Sequence, residues 1–109
     1  MQRIVGKTIY LTRGDSFRVK VGMKLKDGSE YIPVDGDVVR FAVKRSYSDR
    51  APIIEKIIPN DTQILELLPS DTKPLGFGSY VYDCELTTAS GDVDTFIAGA
   101  SLVITEEVD

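Results

Sequence analysis

Between Ser16 and Gly28 the chain reads "SFRVKVGMKLKDG", in which Phe17, Val19, Val21, Met23 and Leu25 alternate with Arg18, Lys20, Gly22, Lys24 and Lys26. Successive side chains of a β-strand point to opposite faces, whereas a helix brings a face round every ~3.6 residues. A period of two held over ten residues therefore describes a strand with one buried and one solvated face. Asp27-Gly28 closes it with a pair that readily adopts positive φ.

The pattern returns in "DVVRFAVKRS", where Val39, Phe41 and Val43 face one way and Val38, Arg40, Ala42 and Lys44 the other. "YSDRAP" reads as a loop. "IIEKII" reads as a short strand ended by Pro59-Asn60-Asp61, and "TQILELL" as another. "PSDTKPLGFG" carries two prolines and two glycines, which exclude a long helix or a central strand. A single helical turn near Ser70, capped by a hydroxyl, fits there. In "SYVYDCELTTA" one face holds Tyr80, Tyr82, Cys84 and Leu86, and the other Val81, Asp83, Glu85 and Thr87. Ser90-Gly91-Asp92 makes a hairpin turn. The last strand sets Phe96, Ala98, Ala100, Leu102 and Ile104 on one side, with Gly99 marking a bulge or bend.

No segment sustains helical periodicity. The spacing predicts an all-β chain, an immunoglobulin-like antiparallel β-sandwich of about seven strands, with residues 1–109 as a single domain. A chain of 109 residues can bury a core of its own without metal or disulfide staples. There is one cysteine and no tryptophan, so the inter-sheet disulfide and buried Trp of antibody domains are absent. The closing "EEVD" is expected to fray.

Composition narrows the function. The net charge is −4, which argues against nucleic acid or a membrane surface as the main partner. No apolar run is long enough for a membrane-spanning helix, and "MQRIVGKTIY" does not have the form of a signal peptide. The absence of histidine removes the usual catalytic base and zinc ligand together, and with them any cysteine-histidine nucleophile. No phosphate loop or dinucleotide fingerprint is present. The expectation is a protein that is not an enzyme, with no catalytic residue, cofactor or metal.

Four sets of residues and one cysteine remain as candidate sites. Arg13-Gly14-Asp15 spells an adhesion signal, yet it lies between two predicted strands, where glycine supplies a turn and Asp15 or Ser16 can bond a backbone amide. Arg18, Lys20, Lys24 and Lys26 form a basic stripe with no interleaved aromatic for base stacking, and read as a solvated strand face. Arg40 and Lys44 on one strand match Asp83 and Glu85 on another. In an immunoglobulin-like order these strands are neighbours, so a cross-strand charge ladder is expected. The acidic loops Asp35–Asp37 and Gly91–Asp94 would hold calcium only if they met in space, and they lack the ligand spacing of a calcium loop. Cys84, on an apolar face, reads as a small hydrophobe.

The stretches "IYLTRGDSFRVKV", "VVRFAVKRS" with "PIIEK", and "LPSDTKPLGFGSYVYDCELTTASGDVDTFIAG" together resemble the N-terminal immunoglobulin-like domain of the phage baseplate upper protein family. The shared features are an opening "LTRGD", a central "VxFxVK", the run "PxDTxxLxxGxYxYDxEL" and a glycine before the closing strand. The resemblance covers nearly the whole chain and rests on turns and strand faces. It implies a non-enzymatic structural module of a phage or prophage tail or baseplate, assembled in the bacterial host cytoplasm and located in the virion. Its partners would be other tail or baseplate proteins, with a homo-oligomer as a further option. The alternative class is a cell-surface adhesin or carbohydrate-binding domain using Arg13-Gly14-Asp15. An assembly role also fits "TIYL" and "IIEKII", strongly β-forming segments expected to be open sheet edges without the guard that Lys24 and Lys26 provide.

Overall fold

Ten strands and one helical turn make up the part of the chain that the computed structural model describes, residues 2–5, 7–24 and 27–106, with 2–5 described by backbone alone. The elements are β1 (Gln2–Val5), β2 (Thr8–Thr12), β3 (Phe17–Lys20), β4 (Met23–Lys24), β5 (Glu30–Tyr31), β6 (Val38–Lys44), β7 (Ile54–Ile58), β8 (Ile64–Leu67), α1 (Pro69–Thr72), β9 (Gly78–Thr87) and β10 (Val93–Thr105). The chain is all-β. A six-stranded sheet runs in the order β1-β2-β10-β9-β6-β7, while β3 pairs with β8 and β4 with β5.

The strand faces follow the alternation. Val39, Phe41 and Val43 are buried, as are Tyr80, Tyr82, Cys84 and Leu86. They share one core with Ile9 and Leu11 of β2, Leu102 and Ile104 of β10, Phe17 of β3, and Leu65 and Leu67 of β8. Phe41 and Tyr82 pack at a ring-centroid distance of 5.3 Å. Burying each such side chain stabilises the fold by ~1.5–3 kcal/mol.

Several expectations are corrected. The sheet is mixed, because β2 runs parallel to β10, with Ile9 opposite Leu102 and Thr12 opposite Thr105. The two strands are far apart in sequence, so no tight hairpin forces them antiparallel. The ten-residue strand is two pieces. Val21 carries the β3–β8 register one step further, donating to the Gln63 carbonyl at 2.8 Å, and beyond it β4 pairs with β5 in a separate hairpin. Leu25 and Lys26, and the tail from Glu107, lie outside the described residues.

On β10 the predicted face holds only in part at its N-terminal half, where Phe96 and Ile97 both pack half-buried against the core and Ala98 is exposed. The register against β9 shifts between Thr95 and Ile97 and again between Ile97 and Ala100. Each shift inserts one extra residue, and the result sets Ile97, not Phe96 or Ala98, opposite Cys84. Gly99 sits in the second irregularity at φ 63, as its position in the strand suggested. Of the two expected edges, β7 is one. "TIYL" is not, because β2 lies between β1 and β10. The helical turn is also capped differently. The Leu68 amide donates to the Asp71 carboxylate at 2.7 Å, and Pro69 occupies the first turn.

Candidate interaction surface

Arg13-Gly14-Asp15 forms the corner between β2 and β3. The Asp15 amide donates to the Thr12 carbonyl at 3.1 Å and Gly14 has φ 85, a turn that places glycine where a side chain would be strained. The corner is docked rather than projecting. The Gly14 amide donates to Thr72 Oγ1 at 2.8 Å, and Thr72 is fully buried. Arg13 Nη1 donates to the Leu75 carbonyl at 3.3 Å, with its guanidinium 4.5 Å from the centre of the Phe77 ring. Arg13, Gly14 and Asp15 are all half-buried. The partners Thr72, Leu75 and Phe77 had no signal in the sequence, since the contact joins segments about sixty residues apart.

The charge ladder residues do share one face. In the register of β6 and β9, Arg40 lies opposite Glu85 and Ala42 opposite Asp83, while Thr95 of β10 faces Glu85 from the other side. Their hydrogen bonds go elsewhere. Arg40 Nη2 donates to Glu55 Oε2 at 2.5 Å, across to β7. That bond holds the Glu55 carboxyl below its ordinary value and raises Arg40, to which Glu85 adds a smaller electrostatic share. Asp83 Oδ1 accepts the Gly99 amide at 2.6 Å, so it braces the β10 bulge. Tyr47, in the loop after β6, donates to the Gly99 carbonyl at 2.8 Å. Lys44 and Arg50 have no hydrogen bond or ion pair among the described residues. A depression of about 220 Å³ on this face is lined by Arg40, Lys44, Arg50, Asp83, Glu85 and Thr95, with Ala42 and Pro52. Glu55 was missed by sequence reasoning, although its alternation with Lys56 within "IIEKII" places it on the outer face.

The other candidates resolve locally. Arg18 pairs with Glu66, its opposite number on β8, while Lys20 stands exposed. Lys24 belongs to a different sheet, so the basic stripe is interrupted. The Asp35–Asp37 loop packs against Ala89, ahead of the second acidic loop, since a methyl at Gly36 would approach Ala89 Cβ to 2.7 Å. Asp37, however, is taken up by the Tyr31 hydroxyl at 2.5 Å and the Val34 amide at 3.0 Å, and these bonds lower its pKa. Among the described residues no group of three acidic or cysteine side chains converges as metal ligands would. Cys84 is buried, and burial pushes its thiol up to about 12.

Beyond β7 no further strand pairs among the described residues. Ile57 on this strand is 60% exposed. It borders a groove of about 400 Å³ that also meets Ile64, Leu68, Lys56 and the Arg18–Glu66 pair. No protein-family model matches the chain, and no curated protein or solved structure is significantly similar to it.

Proposed function

We propose that this chain is a non-enzymatic assembly module of a phage or prophage tail or baseplate that works through protein–protein contacts in the virion. The observation that carries the reading is the open edge at β7, with Ile57 exposed beside it. An open, strongly β-forming edge invites pairing with another chain, and the two charges on this one, Glu55 and Lys56, are engaged by Arg40 and Asp71. A symmetric assembly covers such an edge with a neighbouring subunit, and a modest contact suffices when many copies close together. The sequence resemblance to baseplate upper proteins points the same way.

The finer fold reading is the immunoglobulin-like sandwich of about seven strands. In its support, β10-β9-β6-β7 takes the order G-F-C-C′ and β3 beside β8 takes the order B-E, across one shared core. The adhesin alternative draws nothing from the Arg13 corner. An adhesive tripeptide presents its arginine and aspartate at a free loop tip, and here the arginine is spent on Leu75 and Phe77.

The test is co-expression with proteins encoded beside it, followed by affinity capture and light scattering. Firm capture of a tail or baseplate protein, with weak self-association of the isolated chain, is the expected result. A chain that stays monomeric and captures none of them, but binds glycan or a host-cell protein, belongs to the adhesin class instead.

A further inference from the structure

The depression on the outer face of the large sheet has an unusual charge arrangement. It is lined by three cations, Arg40, Lys44 and Arg50, and two anions, Asp83 and Glu85. One anion and one cation are hydrogen-bonded, and the second anion has only a through-space share in Arg40. Arg40 is held by Glu55, Asp83 accepts the Gly99 amide, and Glu85 lies opposite Arg40 in the register. Lys44 and Arg50 are left without a partner among the described residues and line the same hollow, Lys44 from the end of β6 and Arg50 from the loop that follows it.

We propose that this depression receives a carboxylate side chain from an acidic segment of an assembly partner. The proposal rests on the assembly reading and names the chemistry of one contact in it. Arg50 supplies a planar fork that can grip both oxygens of a carboxylate, and Lys44 a mobile point charge. A volume of about 220 Å³ has room for an acidic side chain. The walls set the selectivity. Asp83 and Glu85 within the hollow, and Glu55 next to Arg40, repel a dianion or a polyphosphate backbone more strongly than a single carboxylate. The Thr95 hydroxyl, opposite Glu85, adds a neutral donor at the rim.

The experiment is a titration of isotope-labelled protein followed by amide and guanidinium NMR shifts, with hexaglutamate, inorganic phosphate and hexalysine as separate probes. The expected result is saturable shifts at Lys44, Arg50 and Thr95 with hexaglutamate alone, weakened at least about tenfold by the double substitution Lys44→Ala, Arg50→Ala. Three results overturn the proposal: no saturable shift with hexaglutamate, equal binding by the double variant, or tighter saturation by phosphate than by the peptide. Affinity capture with the double variant separates this proposal from the one beneath it. Tail-protein capture that survives the double substitution undiminished leaves the assembly reading intact and removes this contact from it.

Discussion

The Gly14 amide donates to the hydroxyl of Thr72, 58 positions further along the chain, at 2.8 Å, and that hydroxyl is fully shielded from water. Thr72→Val keeps the shape and removes the acceptor, leaving a partly buried N–H unpaired. The expected loss is about 1–3 kcal/mol of unfolding free energy, read from denaturant titration. A variant as stable as the wild type contradicts the docking of this corner.

The same docking sets an adhesion result. Immobilised wild-type protein and Asp15→Glu are expected to support equal, background adhesion of integrin-bearing cells. Adhesion by the wild type that the substitution abolishes means that the tripeptide is displayed after all.

Arg40 chooses between two carboxylates. Double-mutant cycles are expected to give a larger coupling for Arg40 with Glu55 than with Glu85, and both should fade in high salt. The Glu55 carboxyl is depressed below 4.5 in the folded state. Its contribution is therefore complete above the unfolded value and is lost as pH falls through the lower, folded one. Glu55→Gln should flatten that part of the acid limb, and an unchanged limb argues against the pairing.

Gly99 is expected to resist substitution for two separable reasons. A methyl there overlaps the Tyr47 ring, and the backbone stands at φ 63. Gly99→Ala should destabilise clearly. The overlap is with the far end of an exposed side chain that can swing aside, so the backbone cost of about 1–2 kcal/mol should persist when Tyr47→Ala is added. Full recovery in the double variant contradicts the left-handed geometry.

Cys84, buried with its thiol held protonated, should react with a thiol reagent at neutral pH only as fast as the chain opens. Rapid stoichiometric labelling of the native protein is the contrary outcome.

The buried faces of β6 and β9 were legible because each alternates without interruption, and so was the adjacency that puts Arg40 opposite Glu85. What alternation alone could not reveal was set by contacts between distant segments. Residues 17–21 are held against β8 while Met23 and Lys24 pair with Glu30 and Tyr31 in another sheet, and two extra residues on β10 bring Ile97 opposite Cys84. The protection of β2 by β1 follows from a pairing that local hydrophobicity does not encode. The charged hollow was half legible. Arg40, Lys44, Asp83 and Glu85 came from strand parity, whereas Arg50 reaches it from a loop with no period to read.

The proposed assembly role is tested most directly at β7. Ile57→Lys places a charge on the exposed flank of the open edge, where the native side chain is 60% exposed and its loss should leave the thermal midpoint unchanged. Co-expressed with the proteins encoded beside it, the wild type is expected to capture a tail or baseplate component that the Ile57→Lys variant, equally folded, captures far less. Equal capture by the two, or capture of no such component by the wild type, contradicts assembly through this edge.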